Sequence, residues 1–161
     1  MNFLPYFSRV LHKRNGHSLF EMITIIVILG ILAAAIIPKV HDISKTAKIN
    51  STEKELVELQ IAIMGNDDFR GYYEDVGSLP ANLSDLYGGQ EAGYNPFLQT
   101  GGRRGNYISD ADVDGNGTAD MLEDGWGIAY GWVAGTGVIT SGGPDETIGV
   151  GGDDITLDVN G

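Results

Sequence analysis

Residues 17–40 read HSLFEMITIIVILGILAAAIIPKV, and this stretch decides how the rest of the chain is read. Within residues 22–37 every position is apolar or small except Thr24. With Leu19 and Phe20 the run reaches the roughly 20 residues that a membrane-crossing helix needs. Ahead of it stand Arg9, Lys13 and Arg14, in a segment without acids. Basic residues beside an apolar run stay in the cytoplasm, so the C-terminal part is expected across the membrane. Glu21 interrupts the apolar pattern at its start. A carboxylate in lipid costs at least about 2.5 kcal/mol near the bilayer centre and less near the interface. Two uses fit it: snorkelling at the headgroup level, or pairing with a positive group of another chain.

Downstream, residues 40–76 are expected to continue as an amphipathic helix. Leu56, Leu59 and Ile63 form one apolar stripe, and Phe69, Tyr72, Tyr73 and Val76 another. Pro38 is expected to kink the helix, because proline removes one backbone hydrogen bond. Gly65-Asn66 is expected to distort it locally, and Gly77-Ser78-Leu79-Pro80 to end it. Residues 81–87 read as a short helix or turn, 88–109 as a glycine-rich loop, and 110–125 as an acidic loop. Residues 126–134 and 137–140 read as strands around a Gly-Thr-Gly turn, with a third strand at 155–159. Trp126, Tyr130 and Trp132 alternate on one side, as expected of a sheet face packed on the helix rather than a sugar-binding stripe. The expected fold class is α+β. A long N-terminal helix, membrane half plus amphipathic half, packs on a small antiparallel sheet.

Composition narrows the function. The chain has 161 residues, 42% of them hydrophobic, which suits one ordinary domain and excludes a compositionally disordered chain. It lacks cysteine, so disulfides, thiolate metal sites and a cysteine nucleophile are excluded. Its histidines, His12, His17 and His41, all lie within the first 41 residues. A Ser-His-Asp triad or a histidine-rich zinc site is therefore not expected, nor is an enzyme. The net charge of -12 disfavours nucleic acid as a partner. After Arg104 no Lys or Arg occurs, whereas Asp and Glu recur to the end. Such a segment repels itself when compact, and a hard divalent cation is the natural counterion.

The sharpest chemical pattern lies in that segment. Asp112-Val113-Asp114-Gly115-Asn116-Gly117, then five residues, then Glu123, fits the EF-hand calcium loop. Asp112, Asp114 and Asn116 would supply side-chain oxygens, Thr118 its carbonyl, Asp120 a carboxylate or bridging water, and Glu123 a bidentate carboxylate. Gly117 would supply the sharp turn. Oxygen-only ligands favour Ca²⁺ over zinc or copper. The alternatives are a frame shifted to Asp110 and a solvated acidic turn. The flanks do not read as two helices, so such a loop would clip the fold rather than act as a sensor.

Gly16-His17-Ser18-Leu19-Phe20-Glu21-Met22, the apolar run with Gly30, and the closing Pro38 together resemble the class III signal of the type IV pilin superfamily. The resemblance implies that a prepilin peptidase cuts between Gly16 and His17 and that the new amino terminus is methylated. Residues 1–16 would be the cleaved leader, 17–40 the membrane and filament-core helix, and 41–161 the soluble pilin-like domain. Glu21 and Pro38 fall where the family places its assembly glutamate and its kinking proline. Beyond the helix the chain is similar to major pseudopilins of type II secretion systems. Tyr72-Tyr73-Glu74-Asp75-Val76-Gly77-Ser78-Leu79-Pro80 resembles the end of their helix, and Asp124-Gly125-Trp126-Gly127-Ile128-Ala129-Tyr130 their strand-opening motif. Ser141-Gly142-Gly143-Pro144-Asp145, with Gly151-Gly152-Asp153-Asp154-Ile155, resembles their calcium loop. This implies a second calcium set of Asp145, Asp153 and Asp154. His17 replaces the family's usual aromatic residue or methionine, Gly125 its frequent proline, and residues 100–123 form an added acidic insertion.

What the resemblance implies is a homopolymeric filament subunit without chemistry of its own. Its partners would be the membrane, the prepilin peptidase, an inner-membrane assembly platform and minor pseudopilins. The chain would be single-pass in the inner membrane, with its C-terminal domain in the periplasm. The rivals are a true type IV pilin of a surface fibre and a membrane-anchored calcium-binding protein. A plain signal anchor, or a secretory signal cleaved near Ala33-Ala34-Ala35, would also account for the apolar run.

Overall fold

A computed structural model describes residues 18–99 and 101–161, with only the backbone at Pro38. The expected leader and the cleavage pair Gly16–His17 lie outside the described residues. The chain divides into two units, Met1–His41 and Asp42–Gly161.

In the first unit the described residues belong to the start of helix α1, which runs over Leu19–Met64 for 46 residues. Among the described residues it is the one helix long and apolar enough to cross a membrane, with a mean hydropathy of 2.7 in its most apolar window. None of that window is buried. The Ser18 hydroxyl accepts the Phe20 N–H at 3.3 Å, and Glu21 stands in the first turn. Thr24 hides its hydroxyl against the Phe20 carbonyl at 2.8 Å, which removes the one other polar interruption. The helix is continuous through Pro38.

In the second unit the rest of α1 turns amphipathic. Leu56, Leu59 and Ile63 are buried as their spacing requires, and each contributes about 1.5–3 kcal/mol of apolar burial. They join Leu86, Tyr130, Ile139 and Val159 in one core.

The helix stops at Met64 and does not reach Val76. Gly65 takes a left-handed backbone (φ +86°) while its N–H still donates to the Ile61 carbonyl. The Asn66 side chain then accepts the N–H groups of Asp68 and Phe69 at 3.0 and 2.7 Å. This side-chain turn outcompetes the next helical turn. Phe69 is consequently outside any helix and 63% exposed. A separate helix α2, Tyr72–Val76, follows and ends on left-handed Gly77. Leu83–Tyr87 forms a 3₁₀ turn.

Three strands, β1 (Gly131–Val133), β2 (Val138–Ser141) and β3 (Ile155–Asp158), form an antiparallel sheet in the order β1-β2-β3. Trp132 lies opposite Ile139, and Ile139 opposite Leu157. The expected first strand is cut short, because residues 126–130 follow a turn held by the Asp124 carboxylate. The aromatics diverge accordingly. Tyr130 donates its hydroxyl to Glu55 of α1 at 3.0 Å, and Lys48 of α1 sits 5.6 Å from the Trp126 ring centroid. Trp132 instead donates to the Pro80 carbonyl at 2.9 Å. The result is the expected coarse fold, one long helix with a small antiparallel sheet.

Candidate functional site

Two acidic loops leave this scaffold, one before β1 and one between β2 and β3. In the first, Asp112, Asp114 and Asp120 bring one carboxylate oxygen each within 4.8 Å of one another. Local bonds set this geometry. Asp112 accepts the N–H groups of Gly115, Asn116 and Gly117 at 2.7, 3.1 and 2.9 Å. Those donors, Gly117 foremost, hold its carboxyl below the ordinary aspartate range. Asp120 accepts the Val113 N–H at 3.1 Å and donates its own N–H to Ala111, closing the loop.

The remaining expected ligands behave differently. Asn116 donates to Asp114 at 3.0 Å and to Glu123 Oε1 at 2.7 Å, while its Oδ1 accepts the Thr118 N–H. Glu123, only 8% exposed, is thereby engaged by Asn116 and stands outside the Asp112–Asp114–Asp120 group. A three-residue 3₁₀ turn, Asp120–Leu122, occupies the place of an EF-hand exit helix, and the described residues just before the loop, 101–111, form no entry helix. The three aspartates are exposed and can take a divalent cation through oxygen ligands.

The second loop starts from a 3₁₀ turn at Gly143–Asp145. Asp145 accepts the Thr147 N–H at 3.0 Å, and Asp154 Oδ2 accepts the Gly149 N–H at 2.8 Å. The other oxygens of this set lack such donors. Asp153 Oδ1 and Asp154 Oδ1 are buried without any hydrogen-bond partner. A Cβ at Gly151 would overlap both Asp145 Oδ2 and Asp153 Oδ1. Buried carboxylate oxygens without donors are unfavourable unless a cation meets them. Among the described residues, however, these three do not close to the spacing of the first group.

Sequence reasoning missed the junction between the loops. Asp124, 5% exposed, accepts the N–H groups of Trp126 and Ile128 at 3.0 Å each and the Ser141 hydroxyl at 2.6 Å. Gly125 next to it approaches α1 so closely that a Cβ would stand 2.8 Å from the Lys48 carbonyl. Its N–H donates to the buried Thr52 hydroxyl at 2.9 Å, a bond that proline at this position would lack. Two glycines beside an aspartate and a tryptophan were the only cue to so tight a crossing.

No known protein decides the matter. Compared with protein-family models, curated proteins and solved structures, the chain matches none.

Proposed function

We propose that the chain is the structural subunit of a type IV pilin-like filament, most like the major pseudopilin of a type II secretion apparatus. The carrying observation is the form of α1. One helix begins with an acid in its first turn, exposes an apolar half on all sides, and continues into a half that organises a small sheet. So large an uncovered apolar surface needs lipid or other apolar helices around it. Both conditions are met by a subunit that waits in the inner membrane and then packs helix against helix.

In this reading a prepilin peptidase cuts between Gly16 and His17, and the new amino terminus is N-methylated. Glu21 meets that amine of a neighbouring subunit. Each charge alone is expensive in an apolar filament core, and the pair sets register more than it adds stability. An inner-membrane platform and minor pseudopilins assemble the polymer, and the soluble domain faces the periplasm. The growing filament acts mechanically, without catalysis. Calcium in the two acidic loops fastens glycine-rich segments that lack disulfides, and it stabilises the fold by mass action. The clustered oxygens of Asp112, Asp114 and Asp120 also favour a second reading, a membrane-anchored calcium-binding protein.

Polymerisation separates the two. Glu21→Ala is expected to abolish sedimentable filaments while leaving the monomer in the membrane and its calcium binding intact. Filaments of undiminished yield from this variant would overturn the assembly role of Glu21.

A further inference from the structure

Away from the acidic loops, the second unit carries a hole and a knob side by side. The hole is a cavity of about 420 Å³, lined by the apolar Ile61, Phe69, Ile108 and Met121 together with Arg70 and Arg104. That volume lies within the range of sites that bury a partner group. Its cationic side is pinned. Arg70 Nε donates to the buried Asp75 at 3.0 Å, and Arg104 Nη2 donates to the Arg70 carbonyl at 2.6 Å. The knob is Phe97 with Leu98, 96% and 71% exposed, and Phe97 is the most exposed large apolar residue among those described. The Asn95 side chain accepts the N–H groups of both at 2.9 and 3.1 Å, and the Asn95 carbonyl accepts that of Gln99 at 2.7 Å. Gln99 takes a left-handed backbone (φ +51°), which is unfavourable for a residue with a side chain. The turn therefore holds the two apolar side chains out in water instead of folding them back. Arg70 joins knob to hole, because its Nη2 also donates to the Gln99 carbonyl at 3.1 Å.

We propose that the Phe97–Leu98 knob of one copy seats in this cavity of a second copy, and that two copies exchange knobs about a two-fold axis. A surface that carries hole and knob next to each other is self-complementary, as such an axis requires. Charge selects the same surface. The net charge is -12, yet the Lys and Arg residues beyond Lys54 are Arg70, Arg103 and Arg104, and two of these line the cavity. Glu58 lines it as well, but Lys54 stands 3.7 Å from its carboxylate. Acidic copies therefore repel each other least where these guanidinium groups stand. Covering two Phe97 and two Phe69 rings, the latter 63% exposed, removes about 500–800 Å² from water. With both Leu98 side chains and the cavity walls added, the contact approaches the roughly 1,200 Å² at which stable interfaces begin. The pair is accordingly weak and exchanges with the monomer. Anchoring of both copies in one membrane by α1 raises their effective concentration. The pairing does not rest on the filament reading, since it needs only two copies side by side.

The test uses the full chain in its native membrane and in detergent micelles. The chain has no cysteine, so Pro96→Cys beside the knob and Glu58→Cys in the cavity lining can be combined and mildly oxidised. Both positions are exposed, as is Glu53, which lies on the same helix outside the lining. A disulfide needs Cα atoms within about 7 Å, so seated knobs should link two chains at least about ten-fold more than when Glu53→Cys replaces Glu58→Cys. Adding Phe97→Ser removes an exposed ring, should leave the circular dichroism unchanged, and should cut the linked dimer at least about ten-fold. Glu21→Ala, expected to abolish filaments, should leave the dimer unchanged, so failure of the filament reading and failure of the pairing are told apart. Equal linkage by the Glu53 control, a dimer indifferent to Phe97→Ser, or loss of the dimer in Glu21→Ala would each overturn the pairing. A disulfide within one chain would assign the cavity to its own knob, and an adduct of another mass in the native membrane would assign it to a different protein. Either result would overturn the pairing too.

Discussion

Replacing Asp124 by alanine removes the acceptor of three hydrogen bonds at once. The donors are the N–H groups of Trp126 and Ile128, at 3.0 Å each, and the Ser141 hydroxyl at 2.6 Å. A buried donor left without a partner costs about 1–3 kcal/mol. Ser141 is fully buried and bears that cost outright, whereas the half-buried Trp126 N–H regains water in part. A loss of about 2–3 kcal/mol is therefore expected. At about 2–8 °C per kcal/mol for domains in this size range, the melting temperature should fall by roughly 5–20 °C. Asp124→Asn keeps a carbonyl for the two amides and disturbs only the Ser141 bond, so it should cost only about 1–2 kcal/mol. The assay is thermal unfolding followed by circular dichroism, with a calcium chelator present so that metal binding does not enter. Alanine and asparagine variants that both melt within about 2 °C of the parent would refute the reasoning.

Gly125→Pro should destabilise by about 2–6 kcal/mol, since it leaves the buried Thr52 hydroxyl without its donor and crowds the Lys48 carbonyl; denaturant unfolding checks it, and an unchanged midpoint contradicts the crossing. Alkali should unfold the protein through its tyrosines. Burial first, and then the bond to Asp75, push the Tyr107 hydroxyl up to about 12, and burial beside Glu55 raises Tyr130 further. Their stabilising effect is complete below the ordinary value of about 10 and is lost as pH rises through the folded values, because the unfolded chain releases these protons first. Denaturant midpoints should thus fall between pH about 10 and 12, and Tyr107→Phe should flatten part of that fall; an equal slope in both proteins speaks against it. Glu21→Gln separates charge from helix capping. Ser18 and Glu21 have capping-box spacing, and glutamine serves a capping box as well as glutamate does. Filament yield should therefore fall in Glu21→Gln as in Glu21→Ala, and full assembly by the glutamine variant would assign Glu21 to capping.

The sequence made some elements legible because their cause is local and periodic. Leu56, Leu59 and Ile63 repeat at helical spacing and are buried on one face. Asp112, Asp114 and Asp120 were placed by a loop pattern whose own backbone N–H groups fold it. Elements set by competition or by distant contacts were misread. The helix was expected to pass Gly65, but the Asn66 side chain bonds two following amides and stops it. The alternation of Trp126, Tyr130 and Trp132 suggested one strand, yet these residues answer to three different partners, Lys48, Glu55 and Pro80. Glu123 fits the calcium pattern, but Asn116 holds its carboxylate apart from the three aspartates. The Asp124–Ser141 bond joins positions 17 apart and the Thr52–Gly125 bond positions 73 apart. Periodicity carries no trace of such pairs.

The central claim is that this chain is processed and assembled as a pilin-like subunit, and the mature amino terminus tests it most directly. Intact mass and N-terminal sequencing of protein purified from its native membrane should show a chain that starts at His17. A start at Met1, or one near Ile36 after the alanine run, would contradict the filament account and leave calcium binding as the function to pursue.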